Sequence, residues 1–358
     1  MGRPTHVLVV AAEPDRRDST RSLQEACAAL ARRPDVDVDV WFLRDGEVPP
    51  WWPGAQVVDH LRSEGPAVAR ALDRTGPSRL AGAARGRVLR RWWRSAAPDV
   101  VVLDDGLGGR VLPTDAGVVR VVRRNPAPPA GAALEPTAAT RADLVLAPAP
   151  EAAGGPPWVR TGDLVDLDAA VAARRRARPQ VRAEHDVPDG TDLLVGWGVD
   201  EWLDAPDVFV RTLWFLQDRH GSGAHGLWLD DGDDASVADL VRAEAARCGL
   251  ADRVHVSRGA DASWRLAGDA ALLPYRAPAD RREVLEAVAA GLAVVTSAPD
   301  PVDDPAVSAV APLDLEAAAA ATALALAGDT ERRVEAARER IDASTWADRF
   351  LAAVEAAR

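Results

Sequence analysis

Short apolar runs alternate with longer segments of helical spacing along most of this chain, and the alternation occurs twice. That pattern admits few folds, because apolar runs that alternate with helices are the signature of a parallel sheet covered by helices on both faces. In the first stretch His6-Val7-Leu8-Val9-Val10-Ala11 is a continuous strand-like run, and 19–32 follow with Leu23, Cys27 and Leu30 on one helical face. Residues 36–43 begin by alternating valine with aspartate, as a half-exposed strand does. Helices are expected over 57–73 and 83–95, and strands over 99–103, 118–122 and 143–147. The loop Asp104-Asp105-Gly106-Leu107-Gly108-Gly109 follows the first of these strands, and the proline-rich 125–136 reads as a surface loop.

The second stretch begins after an arginine-rich helix at 168–178 and the polar turn Pro188-Asp189-Gly190. Strands are expected over 192–196, 226–230, 253–257, 270–274 and 293–297, with helices over 207–219, 235–248, 262–267 and 281–290 between them. A long helical region closes the chain. The expected class is α/β, with two Rossmann-like, doubly wound parallel-sheet domains facing a central cleft. The expected boundaries are 1–175 for the N-terminal domain, 176–343 for the C-terminal domain, and 344–358 for a helix crossing back. Ligands of such folds sit at the carboxyl ends of the strands.

Composition narrows the chemistry. The sequence has no lysine, so all 43 basic residues are arginine. Schiff-base chemistry and a lysine phosphate clamp are excluded, and an anionic ligand must be held by arginine, helix N-termini or backbone amides. The net charge of −12 disfavours non-specific nucleic-acid binding, so no nucleic-acid partner is expected. Arginines cluster at 85, 87, 90, 91 and 94 and again at 174, 175, 176 and 178, as solvated helix faces or as a patch for peripheral membrane contact. No apolar run approaches a membrane span and no cleavable signal pattern opens the chain, so a cytoplasmic location is expected. Cys27 and Cys248 read as isolated buried thiols. None of the six histidines has metal-ligand spacing, so no metal site is expected. Trp51-Trp52 and Trp92-Trp93 are paired; most of the twelve tryptophans read as packing, although Trp51-Trp52, flanked by prolines, would also suit a sugar or a membrane interface.

The most informative segment runs from Leu273-Pro274-Tyr275-Arg276 through Val284-Leu285-Glu286-Ala287-Val288-Ala289-Ala290-Gly291-Leu292-Ala293-Val294-Val295. A strand ends at Pro274, a helix follows a loop, and Gly291 stops that helix directly before the next buried strand. The helix start aims amides and a partial positive charge at the loop, which suits a diphosphate. Glu286, a turn further on, is either a ligand for vicinal hydroxyls such as those of ribose or a surface acid.

The 285–295 segment resembles the donor-site helix of family 4 ("group 1") GT-B glycosyltransferases. Leu194-Val195-Gly196-Trp197-Gly198, the helix at 207–213, Gly226-Leu227-Trp228-Leu229-Asp230-Asp231-Gly232, the turn 248–254, Ser257-Arg258-Gly259 and Ser344-Thr345-Trp346 resemble further family segments in the same order. The resemblance covers the C-terminal half; the N-terminal half agrees in architecture alone. It implies that Glu286 holds the ribose and that Gly196, Gly198 and Arg258 line the nucleotide site; Arg276, Arg281 and Arg282, on the loop and the helix start, either neutralise the diphosphate in place of the family's basic pair or belong to a solvated turn. It also implies a nucleotide-diphosphate sugar as donor substrate, no further cofactor and no metal. The chain departs from the family pattern elsewhere. Its first motif acid falls at Pro278, and Trp197 and Asp204 stand where a basic pair is expected. The first loop, Glu13-Pro14-Asp15-Arg16-Arg17-Asp18-Ser19, has no glycine. Asp105, beside Gly106, is either a cleft carboxylate with a catalytic role or part of a turn. The expected activity is retaining, metal-independent transfer of a sugar to a glycan, lipid-linked or small-molecule acceptor; the alternative is a glycosyltransferase-like binding or scaffold protein without turnover.

Overall fold

The computed structural model describes residues 3–11, 18–42, 55–56, 97–104, 118–123, 143–147, 158–160, 164–232, 235–277, 280–299, 302 and 304–358. The chain divides into two compact units, one of Met1–Leu164 with Ala343–Arg358 and one of Val165–Asp342. The helices expected at 57–73 and 83–95, the arginines at 85–94, Trp51-Trp52, Trp92-Trp93 and Asp105 lie outside the described residues.

In the first unit the described strands are β1 (Thr5–Ala11), β2 (Val36–Phe42), β3 (Ala55–Gln56), β4 (Val100–Asp104), β5 (Val119–Arg123), β6 (Leu144–Ala147) and β7 (Trp158–Arg160). They form one parallel sheet in the order β3-β2-β1-β4-β5-β6-β7. Val7, Leu8 and Val9 of β1 are all buried, as a central parallel strand requires. On β2 Val36, Val38 and Val40 are buried while Asp37 is exposed and Asp39 half-exposed, so the valine–aspartate alternation is the pleat itself. Helix α1 (Asp18–Ala31) lays Leu23, Ala26, Cys27 and Leu30 on this sheet. The C-terminal helix (Ala343–Ala357) adds Trp346, Ala347, Phe350 and Val354 to the same core, at spacings that keep them on one face.

The second unit opens with α2 (Leu167–Glu184), whose N-cap Asp166 accepts the Ala169 amide at 2.9 Å. The strands β8 (Leu193–Gly198), β9 (His225–Asp230), β10 (Val254–Arg258), β11 (Ala270–Leu273), β12 (Ala293–Thr296) and β13 (Val307–Ala309) form a parallel sheet in the order β10-β9-β8-β11-β12-β13. Helices α3 (Pro206–His220), α4 (Ser236–Arg247) and α6 (Leu315–Leu326) share one core. The other core joins α2, α5 (Arg281–Ala289) and α7 (Thr330–Ile341). Strand alternation divides β8 between the two: Leu193, Val195 and Trp197 enter the α2 side, Leu194 the α3 side.

The boundary expected at 175/176 falls instead between Leu164 and Val165. The arginine-rich helix is not a linker, because its buried face (Leu167, Ala170, Arg174, Ala177, Val181) belongs to the second unit's core. Its arginines are also not all a solvated or membrane-facing patch. Arg174 is buried and donates to Ala290 O at 3.0 Å and Gly268 O at 2.9 Å. Arg178 reaches Asp269 at 2.8 Å, and Arg182 bonds Pro188 O and Thr191 O at 2.8 and 2.6 Å. From α7, Arg333 donates to Gly291 O at 2.8 Å and Ala325 O at 3.0 Å, tying down the carbonyl ends of α5 and α6. In a chain without lysine, the guanidinium fork has become the device that closes turns. Among the described residues no helix is long and apolar enough to cross a membrane.

Candidate functional site

Helix α5 follows β11 and begins where the sequence places it. Its first turn is capped by Asp280, whose Oδ1 accepts the Arg282 amide at 2.8 Å. A carboxylate of the protein therefore already occupies part of the donor set that an anion would use. At the other end Gly291 takes φ +86°, and a Cβ there would lie 2.7 Å from Val334, so the turn into β12 requires glycine.

Glu286 lies one turn into α5, half-exposed, with Oε1 accepting from Arg282 Nε at 2.7 Å. Arg281 is the first residue of the helix and is half-buried. Arg276 turns toward the loop after β8. Its guanidinium carbon is 4.3 Å from the centroid of the Trp202 ring, it donates to Trp202 O, and Nη2 stands 3.9 Å from Asp207 Oδ1. Arg258 pairs with the fully buried Asp230 at 3.2 Å and donates to Gly232 O at 3.3 Å. Thus Arg281, Arg282 and Glu286 share one helix, while Arg276 is engaged with the loop after β8 and Arg258 at the ends of β9 and β10.

The two glycines have packing reasons. A Cβ at Gly196 would meet Phe209 at 2.8 Å and Trp228 at 2.9 Å, inside the core on the α3 side. Gly196→Ala is expected to lower stability by about 1–3 kcal/mol in urea denaturation, because neither ring can move without displacing α3 or β9. A Cβ at Gly198 would lie 2.4 Å from Asp204. Asp204 approaches so closely because its Oδ2 accepts the Val199 and Asp200 amides at 2.7 and 2.8 Å. Asp204, where the resemblance leads one to expect a basic residue, is thus a loop cap.

Sequence reasoning missed the polar cluster beside this helix. Glu283, on the first turn of α5, accepts from Trp197 Nε1 at 2.7 Å with one oxygen and pairs with Arg265 through the other. Arg265 also pairs with Asp231, and its guanidinium carbon lies 5.8 Å from the Trp197 ring centroid. Tyr275 Oη donates to Trp197 O at 3.0 Å. Burial pushes the Glu283 carboxyl above its usual range, with Arg265 opposing, and burial raises the Tyr275 phenol well above its ordinary value. The tryptophan standing where the family pattern has a basic residue is therefore held at both its indole N–H and its carbonyl. Glu283 sits three positions before Glu286, a visible signal, but Trp197 is 86 residues from its partner, and no local pattern announces that contact.

A groove of about 520 Å³, lined by Ala293, Ala306, Ala321, Leu324 and Arg332 among others, opens at the start of β12, the opposite end of the sheet from the α5 N-terminus. Among the described residues no group of three or more His, Cys, Asp or Glu side chains is placed to hold a metal ion.

Two parallel-sheet α/β units of this kind constitute the GT-B glycosyltransferase fold. The chain is similar to the solved structure of a glycosyltransferase from Rickettsia africae ESF-5, with TM-score 0.57 and 12% identity, covering 99% of this chain and 98% of that one. It is similar to Anabaena HepE, solved in complex with UDP, with TM-score 0.54 and 14% identity over 99% and 100% of the two chains. The N-terminal domain of Candida albicans trehalose-6-phosphate phosphatase matches with TM-score 0.55 and 12% identity over 99% and 97%. At these identities the likeness establishes the fold. The sequence matches no protein-family model and no curated protein.

Proposed function

We propose that this protein is a family 4-like glycosyltransferase that takes a nucleoside-diphosphate sugar at the carboxyl ends of the second unit's strands and passes the sugar to an acceptor. The carrying observation is α5, which opens directly after β11 with a half-exposed Glu286–Arg282 pair on its first turns. In this reading the remaining α5 amides, with Arg281 and Arg282, neutralise charge on the departing diphosphate, and Glu286 accepts hydrogen bonds from vicinal hydroxyls of the nucleoside. The reaction runs with retention and without a metal ion, on an intracellular glycan, lipid-linked or small-molecule acceptor. That HepE, of the same fold, was solved with UDP supports a uridine nucleotide as the first donor to test.

A second reading, nucleotide-sugar binding without turnover, is favoured by the acids at the same helix start: Asp280 caps it, and Arg265 is clamped between Glu283 and Asp231. A nucleotide thermal-shift screen tests the site. UDP or GDP and their sugars are expected to raise the melting temperature, by about 2.7 kcal/mol of stabilisation at a hundredfold excess over Kd. Glu286→Ala is expected to remove the rise. A flat response to every nucleotide sugar removes both readings, whereas stabilisation without nucleotide release from any donor across an acceptor panel selects the second.

A further inference from the structure

The loop after β8 exposes large apolar side chains that no core explains: Trp202 is 69% exposed, Val199 56% and Leu203 44%. This loop is nevertheless tightly held. Asp204 accepts two of its amides, Asp200 Oδ1 accepts those of Trp202 and Leu203 at 2.8 and 2.6 Å, and the Arg276 amide donates to Leu203 O at 2.8 Å. It ends in Ala205, a non-glycine residue at φ +50° and fully buried, which fixes the entry into α3. One face of the Trp202 ring carries the Arg276 guanidinium, so the ring is oriented before any ligand arrives.

We propose that the Trp202 indole is a stacking platform for a sugar ring, an inference that rests on the nucleotide-sugar reading of the second unit. The loop leaves the carboxyl end of β8 and touches the β11–α5 loop through Arg276, which places it at the ligand-binding end of the sheet. A sugar ring offers an apolar C–H face to an aromatic plane and hydroxyls at its rim. The exposed neighbours Asp200 and Glu201 match those hydroxyls, because carboxylates accept from O–H groups. The same two carboxylates repel phosphate, so the neutral ring of the ligand suits this loop and the diphosphate does not. That ring belongs either to the donor or to the acceptor.

Calorimetric titrations distinguish the sources. UDP, GDP and dTDP are titrated beside UDP-glucose, UDP-galactose, UDP-N-acetylglucosamine, GDP-mannose and dTDP-glucose, and maltose and cellobiose are titrated separately. The proteins are the wild type, Trp202→Ala and Trp202→Phe, with melting temperature as a control for folding. Trp202→Ala is expected to erase the affinity difference between a nucleotide sugar and its parent nucleotide, or to lose saccharide binding, by about tenfold. Parent-nucleotide affinity stays unchanged, and Trp202→Phe retains most of the sugar's contribution. Loss confined to the nucleotide-sugar arm identifies the donor ring, and loss confined to the saccharide arm identifies the acceptor. Nucleotide sugars and saccharides that bind Trp202→Ala as they bind the wild type overturn the platform while leaving the nucleotide site standing. Absence of binding by every nucleotide overturns both.

Discussion

Arg174→Ala is expected to lower the stability of the second unit by about 2–4 kcal/mol, because the loss leaves two buried carbonyls without donors. Arg174 reaches from α2 to Ala290 O and Gly268 O, and through them joins the end of α5 to the turn before β11. Burial, with Arg178 adding to it, brings its pKa down to about 10. The guanidinium remains charged at neutral pH, so its fork stays available as a donor. Arg174→Met keeps the apolar stem and removes the fork, which separates lost packing from lost hydrogen bonds. Urea denaturation of the three proteins reads the result. If Arg174→Met is as stable as the wild type, the fork contributes nothing and the assignment fails. A loss equal to that of Arg174→Ala places the whole effect in the hydrogen bonds.

Much of this fold was legible in the residues. Val7, Leu8 and Val9 of the continuous apolar run in β1 are buried on both faces, and the spacing of Leu23, Cys27 and Leu30 puts them on one helix face. The helix at 281–290 and its glycine stop were equally plain, because N-caps and left-handed turns are local chemistry. The site was less legible. Gly196 and Gly198 read as ligand-facing glycines by resemblance, yet each is explained by a side chain brought against it in the fold, Phe209 in one case and Asp204 in the other. The role of Arg174 likewise depends on carbonyls 94 and 116 residues away, so a run of arginines on a helix gave no sign of which one turns inward. Periodicity reports which face is buried. It does not report what a long polar side chain finds there.

The histidines make the same point and carry the second large effect. Their sequence spacing suggests no association, but the fold gathers His185, His225 and His255. His225 Nδ1 and His255 Nε2 are 3.0 Å apart in stacked rings, the His185 ring centroid lies 5.2 Å from that of His255, and His185 also meets Trp264 in a T-shaped contact at 5.9 Å. A hydrogen bond between two imidazole nitrogens needs one donor and one acceptor, so at least one ring must stay neutral. Burial lowers all three pKa values, that of His255 to about 4, with the mutual proximity of the rings adding to it. Arg182 and Arg253 push His225 the same way; Glu184, Asp186 and Asp252 oppose, without prevailing. Because the folded values lie below the unfolded value near 6.5, the unfolded chain takes up protons first. The contribution of the cluster is therefore complete above pH 6.5 and is lost as pH falls toward 4. With allowance for partial solvent screening, the loss amounts to about 1–2 kcal/mol. Melting temperatures from pH 8 to pH 4.5 are expected to fall more steeply for the wild type than for His255→Gln, which cannot take up the proton. Parallel curves would mean that His255 titrates as freely in the folded protein as in the unfolded chain.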